Sequence, residues 1–268
     1  MPGFPSIWQM FTVPPFYGDT VMIRAVSFDL WDTIVVDDSD EEERAALGLR
    51  SKHDERRALL HAAAPERSLD EVTASCDAVD VEFRHAWKVE YTNWTVDYRL
   101  RRVLDHLGAS PSDEAIAQAV HGWEIMELDH SPRLIDGAAE AIAEIASRYQ
   151  LAICSDAIVS PGTVLRRLLS KHGVKEHFSS FAFSDEVGRS KPHRSMFDTA
   201  AQGLSIPVQE MVHIGDRHSN DIDGPHALGM KAILFTASRD ADKEGHSADA
   251  LCEHYSDLPG IIDALAKG

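Results

Sequence analysis

Cysteine is scarce in this chain: Cys76, Cys154 and Cys252 are the only three in 268 residues, and they lie far apart. That spacing excludes a disulfide framework and a CxxC-type zinc site, and it suits reduced thiols in the cytoplasm. Basic residues are also short, 26 Lys and Arg against 44 Asp and Glu, for a formal charge of -18. Such a field repels nucleic-acid phosphates and anionic membranes, so neither is expected as a partner, and an anionic substrate needs local help from a metal or a basic pocket. No apolar run is long enough to suggest a membrane span. The first 21 residues, MPGFPSIWQMFTVPPFYGDTV, are apolar but broken by four prolines and lack a basic start. They read as an N-terminal arm, or as sequence upstream of the natural start, rather than as a signal peptide. Fourteen histidines contain no HxH or HExxH pair, and there is no internal repeat or low-complexity tract. His193 and His218 read as rim residues.

Short Val- and Ile-rich runs are present, at Met22–Phe28, Leu151–Cys154, Phe181–Phe183, Met211–Ile214 and Lys231–Phe235. Between most of them lie amphipathic segments of helical length: Ala138–Arg148, Pro161–His172, Arg194–Gly203 and Asp221–Leu228. This rhythm predicts an α/β fold, a doubly wound Rossmann-like parallel sheet covered by helices on both faces. Ser160 and Pro161 predict the start of one helix and Gly173 its end. Residues 38–132 differ in pattern. Apolar positions such as Val72, Cys76, Val79 and Phe83 recur at helical spacing, so this stretch reads as an all-helical insertion after the first strand. The division is thus an arm at 1–21, an α/β core at 22–37 and 133–268, and a helical insertion at 38–132. An insertion there would sit over the carboxyl ends of the strands, where open parallel sheets bind ligands.

Four polar segments fall at the ends of predicted strands. AVSFDLWDTIV places Asp29 directly after the first strand with Thr33 four residues on. LAICSDA ends in Ser155 and Asp156, GRSKP presents Lys191, and HIGDRHSNDIDG brackets a turn with Asp216 and Asp221. Carboxylates gathered on one sheet edge are costly without a compensating cation. Hard oxygen ligands with few protein contacts suit Mg²⁺. Lys191 adds a fixed positive charge, and hydroxyls with nearby backbone N–H groups can cradle phosphate oxygens. A carboxylate attacking phosphorus forms an acyl phosphate labile enough for water to complete a hydrolysis.

In order and separation these segments resemble the four signature motifs of the haloacid dehalogenase superfamily, over Met22 to about Leu265, with the insertion similar to that superfamily's helical cap. The resemblance implies a nucleophilic Asp29, phosphate-contacting Thr33 and Ser155 beside Asp156, and Lys191 steadying the nucleophile and the transferred group. It implies Mg²⁺ held by Asp29, the Trp31 carbonyl, Asp216 and Asp221. The implied activity is hydrolysis of a small phosphate monoester by a monomer or homodimer.

One position departs from the pattern. Family phosphatases read Asp-x-Asp-x-Thr, whose second Asp protonates the leaving group; here that position is Trp31, and an acid follows at Asp32. Losing a general acid typically costs ~10²–10⁴-fold in rate. Asp32 is therefore a candidate replacement acid, with a cap residue or the substrate itself as other proton sources. Trp31 serves either as an apolar plug or as a substrate contact. An aromatic at that position also fits the metal-free dehalogenase branch, which Asp216 and Asp221 oppose. Carbon–phosphorus cleavage would need a cap lysine, Lys52 or Lys88, both expected to be solvated, to form a Schiff base. A non-catalytic binding protein is the remaining alternative. Trp87, Tyr91 and Trp94, at helical spacings, are expected to pack in the cap core.

Overall fold

A computed structural model describes residues 22–267; the expected N-terminal arm lies outside the described residues. Six strands form one all-parallel sheet: β1 (Ala25–Phe28), β2 (Gln150–Ser155), β3 (Ser180–Phe183), β4 (Met211–Gly215), β5 (Lys231–Phe235) and β6 (Ala250–Cys252). Their order is β3-β2-β1-β4-β5-β6, with Ala25 paired to both Gln150 and Met211. The chain fills one side of β1 with β2 and β3, then crosses to the other side for β4. That reversal at the carboxyl end of β1 is the topological switch point of a doubly wound sheet.

Alternation along the strands separates two apolar faces. Val26, Phe28, Leu151 and Ile153 pack under α7 (Ala138–Ala146), α8 (Gly162–Lys171) and α12 (Leu258–Leu265). Ala25, Ala152, Cys154 and Ala182 turn the other way, against Met196, Phe197 and Ala200 of α10 (Arg194–Leu204). Small side chains on that face let α10 lie close: a Cβ at Gly203 would come within 2.2 Å of Ser180 Oγ. The short helices α9 (Ser184–Val187) and α11 (Gly224–His226) complete this layer.

Between β1 and β2 come α1 (Asp40–Ala46), α2 (Lys52–Ala63), α3 (Leu69–Lys88), α4 (Val96–Leu107), α5 (Asp113–Glu124) and α6 (Met126–Asp129). Helices α2 to α5 pack on one another around Leu60, Val72, Val79, Leu100, Leu104 and Trp123, a second apolar cluster separate from the sheet. Their ends are set locally. Ser51, Ser68, Thr95 and Ser112 each accept a backbone N–H of the following turn, and Ser68 forms a full capping box with Glu71. Each such cap is worth about 1 kcal/mol.

Several local expectations are corrected. Ser160 does not cap α8: Pro161 takes the N-cap position, and the Ser160 hydroxyl donates to the Glu124 carbonyl at the end of α5. The helix expected over Asp221–Leu228 is a π-helical turn (His218–Asp223) followed by α11. Lys52 is buried rather than solvated, and Tyr91 is 37% exposed rather than packed. Among the described residues, no helix is long and apolar enough to cross a membrane.

Candidate active site

The carboxyl ends of β1, β2 and β4 meet beneath the helical insert. Asp29 follows β1 directly, its N–H bound to the Ile214 carbonyl of β4 at 2.8 Å. Lys191 arrives from the loop before α10 and is buried. Its Nζ donates to Asp221 Oδ1 at 2.6 Å and lies 2.8 Å from Asp29 Oδ1. The second contact is an ion pair outside hydrogen-bond geometry, so among the described residues Asp29 Oδ1 has no hydrogen-bond donor. Burial alone would neutralise the lysine, but the Asp221 and Asp29 carboxylates outweigh it and hold the ammonium firmly charged.

Asp221 is the most constrained acid. It sits in the π-helical turn after β4, where Arg217 N–H donates to Oδ2 at 2.9 Å and His213 Nε2 lies 3.1 Å from Oδ1. Burial pushes its carboxyl up, but Lys191 and the His213 contact prevail and hold it well below the usual range. The turn fits because residue 215 is glycine: a Cβ there would stand 2.2 Å from Asp221 Cγ. Asp216 is pushed the other way, up to about 8, first by burial and then by the Asp221 and Asp29 carboxylates, with Arg217 and Lys191 opposing. Its Oδ1 is buried without a partner among the described residues, while Arg239 reaches Oδ2 at 3.3 Å.

Oxygens of Asp29, Asp216 and Asp221 lie within 4.8 Å of one another. Three buried carboxylates, two of them with an oxygen lacking any donor, face one buried lysine. This donor set fits a hard divalent cation, which would occupy the orphaned oxygens and offset the excess negative charge.

A cavity of about 330 Å³ opens between sheet and insert, with Asp29, Trp31, Asp156 and Lys191 on one wall and Lys52 and Trp87 on the other. That volume suits a small molecule. Asp156 ties the two layers: Oδ1 accepts the Lys191 N–H at 3.0 Å, Oδ2 accepts Trp87 Nε1–H at 2.9 Å, and its carbonyl accepts Trp31 Nε1–H at 3.1 Å. Burial pushes its carboxyl up to about 6 despite Lys191 and these donors. Thr33 and Ser155 are fully buried beside the strand ends; Thr33 Oγ1 has no partner among the described residues, and neither residue is on the cavity wall.

Asp32 is turned away. It adopts φ 52°, and its Oδ1 accepts the Asp37 N–H at 3.2 Å and the Ser238 hydroxyl at 2.7 Å. Its Oδ1 is therefore engaged and the residue is not on the cavity wall, so the geometry lends no support to its replacing the acid missing at Trp31. Lys88 is exposed, its ammonium 5.3 Å over the Trp87 ring. Trp94 packs on Phe83 as expected of a core aromatic, whereas Trp87 reaches the cavity. His193 caps α10 by accepting the Ser195 N–H, and His218 lies against Ser247. Sequence reasoning missed His213, Arg217 and Arg239, which surround the acids; His213 alone carried a signal, as a polar residue inside an apolar strand.

From residue 23 to residue 229 the chain matches the family of haloacid dehalogenase-like hydrolases. It belongs to that family. This hydrolase is 26% identical over 253 residues to the glyceraldehyde 3-phosphate phosphatase of Methanopyrus kandleri, covering 92% of this chain and all of that protein. It is also 26% identical to the ribulose-1,5-bisphosphate 5-phosphatase of Halopiger xanaduensis, over 62% of this chain and 68% of that one. Among solved structures it shares its fold with a 2-haloacid dehalogenase from Pseudomonas syringae, at TM-score 0.67 and 21% identity, covering 91% of this hydrolase and 99% of that chain.

Proposed function

We propose that this hydrolase is a Mg²⁺-dependent phosphatase acting on a small phosphate monoester through a phosphorylated Asp29. The observation that carries the reading is the acidic trio at the switch point: Asp29 stands with Asp216 and Asp221, two further buried carboxylates, beside a cavity of small-molecule size. A metal-free displacement of halide from carbon gains nothing from that trio, whereas transfer of an anionic phosphoryl group needs it neutralised. Asp29, Asp216 and Asp221, with the Trp31 carbonyl, would hold Mg²⁺, which supplies neutralisation of the phosphate and of the acids around it. The similar proteins named as phosphatases act on phosphorylated sugars, and this supports a substrate of that class.

Each residue then has a task. One Asp29 oxygen attacks phosphorus; Lys191, 2.8 Å away, orients that carboxylate and meets charge developing on the phosphoryl oxygens. Thr33 and Ser155 are buried at the strand ends, off the cavity wall, and Asp156 fixes the Lys191 backbone and both tryptophans. Residues 38–132 form the cap, which Trp87 ties to Asp156 at 2.9 Å over the cavity, where it would exclude bulk water from the acyl phosphate. A Schiff-base role for Lys52 is not supported. Its ammonium lies 2.8 Å from Asp38, 3.0 Å from Asp40 and 3.6 Å from Glu127. Burial would favour the free amine, but these acids prevail and keep it protonated and non-nucleophilic.

Phosphate release from a panel of sugar and alkyl phosphates, with Mg²⁺ and with EDTA, tests the proposal. Turnover should require Mg²⁺ and vanish in Asp29→Asn. Turnover that survives EDTA, or survives the substitution, removes it.

A further inference from the structure

An alkyl phosphate releases an alkoxide too basic to leave unaided, so its hydrolysis requires a proton donor beside the leaving oxygen. Position 31 is tryptophan, and the Asp32 carboxylate is held by Ser238 and the Asp37 N–H. Besides Asp29, the cavity wall carries five carboxylates: Asp37, Asp38, Glu41, Glu127 and Asp156. Four are engaged, by Lys52 or by the Lys191 N–H and Trp87. Asp156 uses both oxygens, on Lys191 N–H and Trp87. Asp38 pairs with the Lys52 ammonium at 2.8 Å, Glu41 accepts the Lys52 N–H at 2.8 Å, and Glu127 Oε1 lies 3.6 Å from that ammonium, its Oε2 enclosed beside α6 with no partner among the described residues.

Asp37 remains. Among the described residues it forms no ion pair; Oδ1 accepts the Asp38 N–H at 3.0 Å, and Oδ2 has no recorded partner. It lies on the same loop as Asp29, and that loop folds back on itself. Ile34 and Val35 N–H both bind the Leu30 carbonyl, and Asp32 N–H binds the Val35 carbonyl at 2.7 Å. Asp37 is thereby returned to the cavity that Asp29 faces from below.

We propose that Asp37 is the general acid–base of this site, in place of the residue at position 31. The inference rests on the phosphatase reading above. As Asp29 Oδ bonds to phosphorus, the phosphorus–oxygen bond to the leaving group breaks. Its electron pair stays on the departing oxygen, which takes the proton from the Asp37 carboxyl. The resulting carboxylate then accepts a proton from the water that attacks the aspartyl phosphate, releasing inorganic phosphate and restoring both acids. The surroundings favour the protonated form at the start. Burial, then Asp38 and Asp32 on its own loop, raise the carboxyl to about 6, against Lys52 of α2 and Arg217 of the loop after β4. Glu127 of α6, itself raised to about 7 chiefly by burial, faces the same region.

The test compares kcat/KM for alkyl phosphates, glyceraldehyde 3-phosphate among them, with kcat/KM for 4-nitrophenyl phosphate, whose phenolate leaves without a proton. That parameter reports only steps up to departure of the leaving group. In Asp37→Asn, alkyl phosphates should lose ~10²–10⁴-fold, the range for a lost general acid, while 4-nitrophenyl phosphate loses less than about 10-fold. Wild-type kcat/KM for alkyl phosphates should fall as pH rises through about 6, a limb that 4-nitrophenyl phosphate does not share; this readout needs no folded variant. Equal losses on both substrate types, the selective loss appearing in Asp32→Asn instead, or alkyl phosphates refused by wild type that hydrolyses 4-nitrophenyl phosphate, each overturn the assignment. Asp29→Asn separates the two readings: if it abolishes turnover and Asp37→Asn shows no selectivity, the phosphatase reading stands and the role of Asp37 falls. Silence on every phosphate removes both.

Discussion

Replacing Lys191 by methionine keeps the length of the side chain and deletes its charge. The lysine side chain is 2% exposed and pairs with Asp221, 0% exposed, and Asp29, 8% exposed. Without it, Asp29, Asp216 and Asp221 remain within 4.8 Å of one another. Their remaining cations are Arg217 and Arg239, at 3.7 and 3.3 Å from Asp216 and partly solvated. Removing one member of a buried ion pair costs ~3–5 kcal/mol, because the partner charge stays behind. For a chain of this size that is a fall in Tm of about 6–20 °C, at ~2–4 °C per kcal/mol. The assay is urea and thermal unfolding of wild type and Lys191→Met in EDTA at neutral pH, repeated in Mg²⁺. Saturation at ~100 times Kd should return about 2.7 kcal/mol in either protein, and the variant should bind the ion more tightly because no lysine competes for Asp29 and Asp221. A loss below about 1 kcal/mol in EDTA, the range of a solvated surface pair, would refute the claim that this lysine is the counter-charge of the site. So would Mg²⁺ binding more weakly to the variant than to wild type.

Two further outcomes are expected. Arg99 of α4 is buried, donates to the Ile158 carbonyl at 2.6 Å and lies over the Phe83 ring at 4.0 Å, joining the helical insert to the loop after β2. Arg99→Met should cost about 2–4 kcal/mol in urea unfolding, from an orphaned carbonyl and a lost cation–π contact, and faster amide exchange in the loop after β2 should accompany it. Gly215→Ala should displace Asp221, whose Cγ lies 2.2 Å from the added Cβ position. Overpacking of about 1–3 kcal/mol should come with weaker Mg²⁺ binding by calorimetry, and unchanged binding would show that Asp221 is not held by this close approach.

Five of the six strands were legible because each is a run of apolar, largely β-branched or aromatic residues closed by Gly or polar residues. β6 was not, since Ala250–Cys252 is three residues long and half-exposed, and α12 was overlooked with it. The helical character of the insertion was legible because its apolar spacing, as at Val72, Cys76, Val79 and Phe83 of α3, is local. Asp29, Lys191, Asp216 and Asp221 stood out because each closes a strand or opens the next turn, and parallel strands bring such positions to one edge.

What the sequence by itself determined, then, was the α/β class, the strand rhythm and the set of polar residues delivered to the carboxyl edge of the sheet. These depend on side-chain periodicity and local turn chemistry, which neighbouring residues specify. Only the tertiary structure decided which way each carboxylate points. A left-handed φ at Asp32 sends one acid to Ser238, a folded-back loop returns Asp37 to the cavity, and Gly215 admits Asp221 beside Lys191. It also decided that Lys52 is enclosed by acids from two separated segments, Asp38 and Asp40 from one and Glu127 from the other. The contacts of Asp32 with Ser238, Asp221 with Lys191 and Lys52 with Glu127 join residues distant in the chain, and no short window of sequence contains both partners.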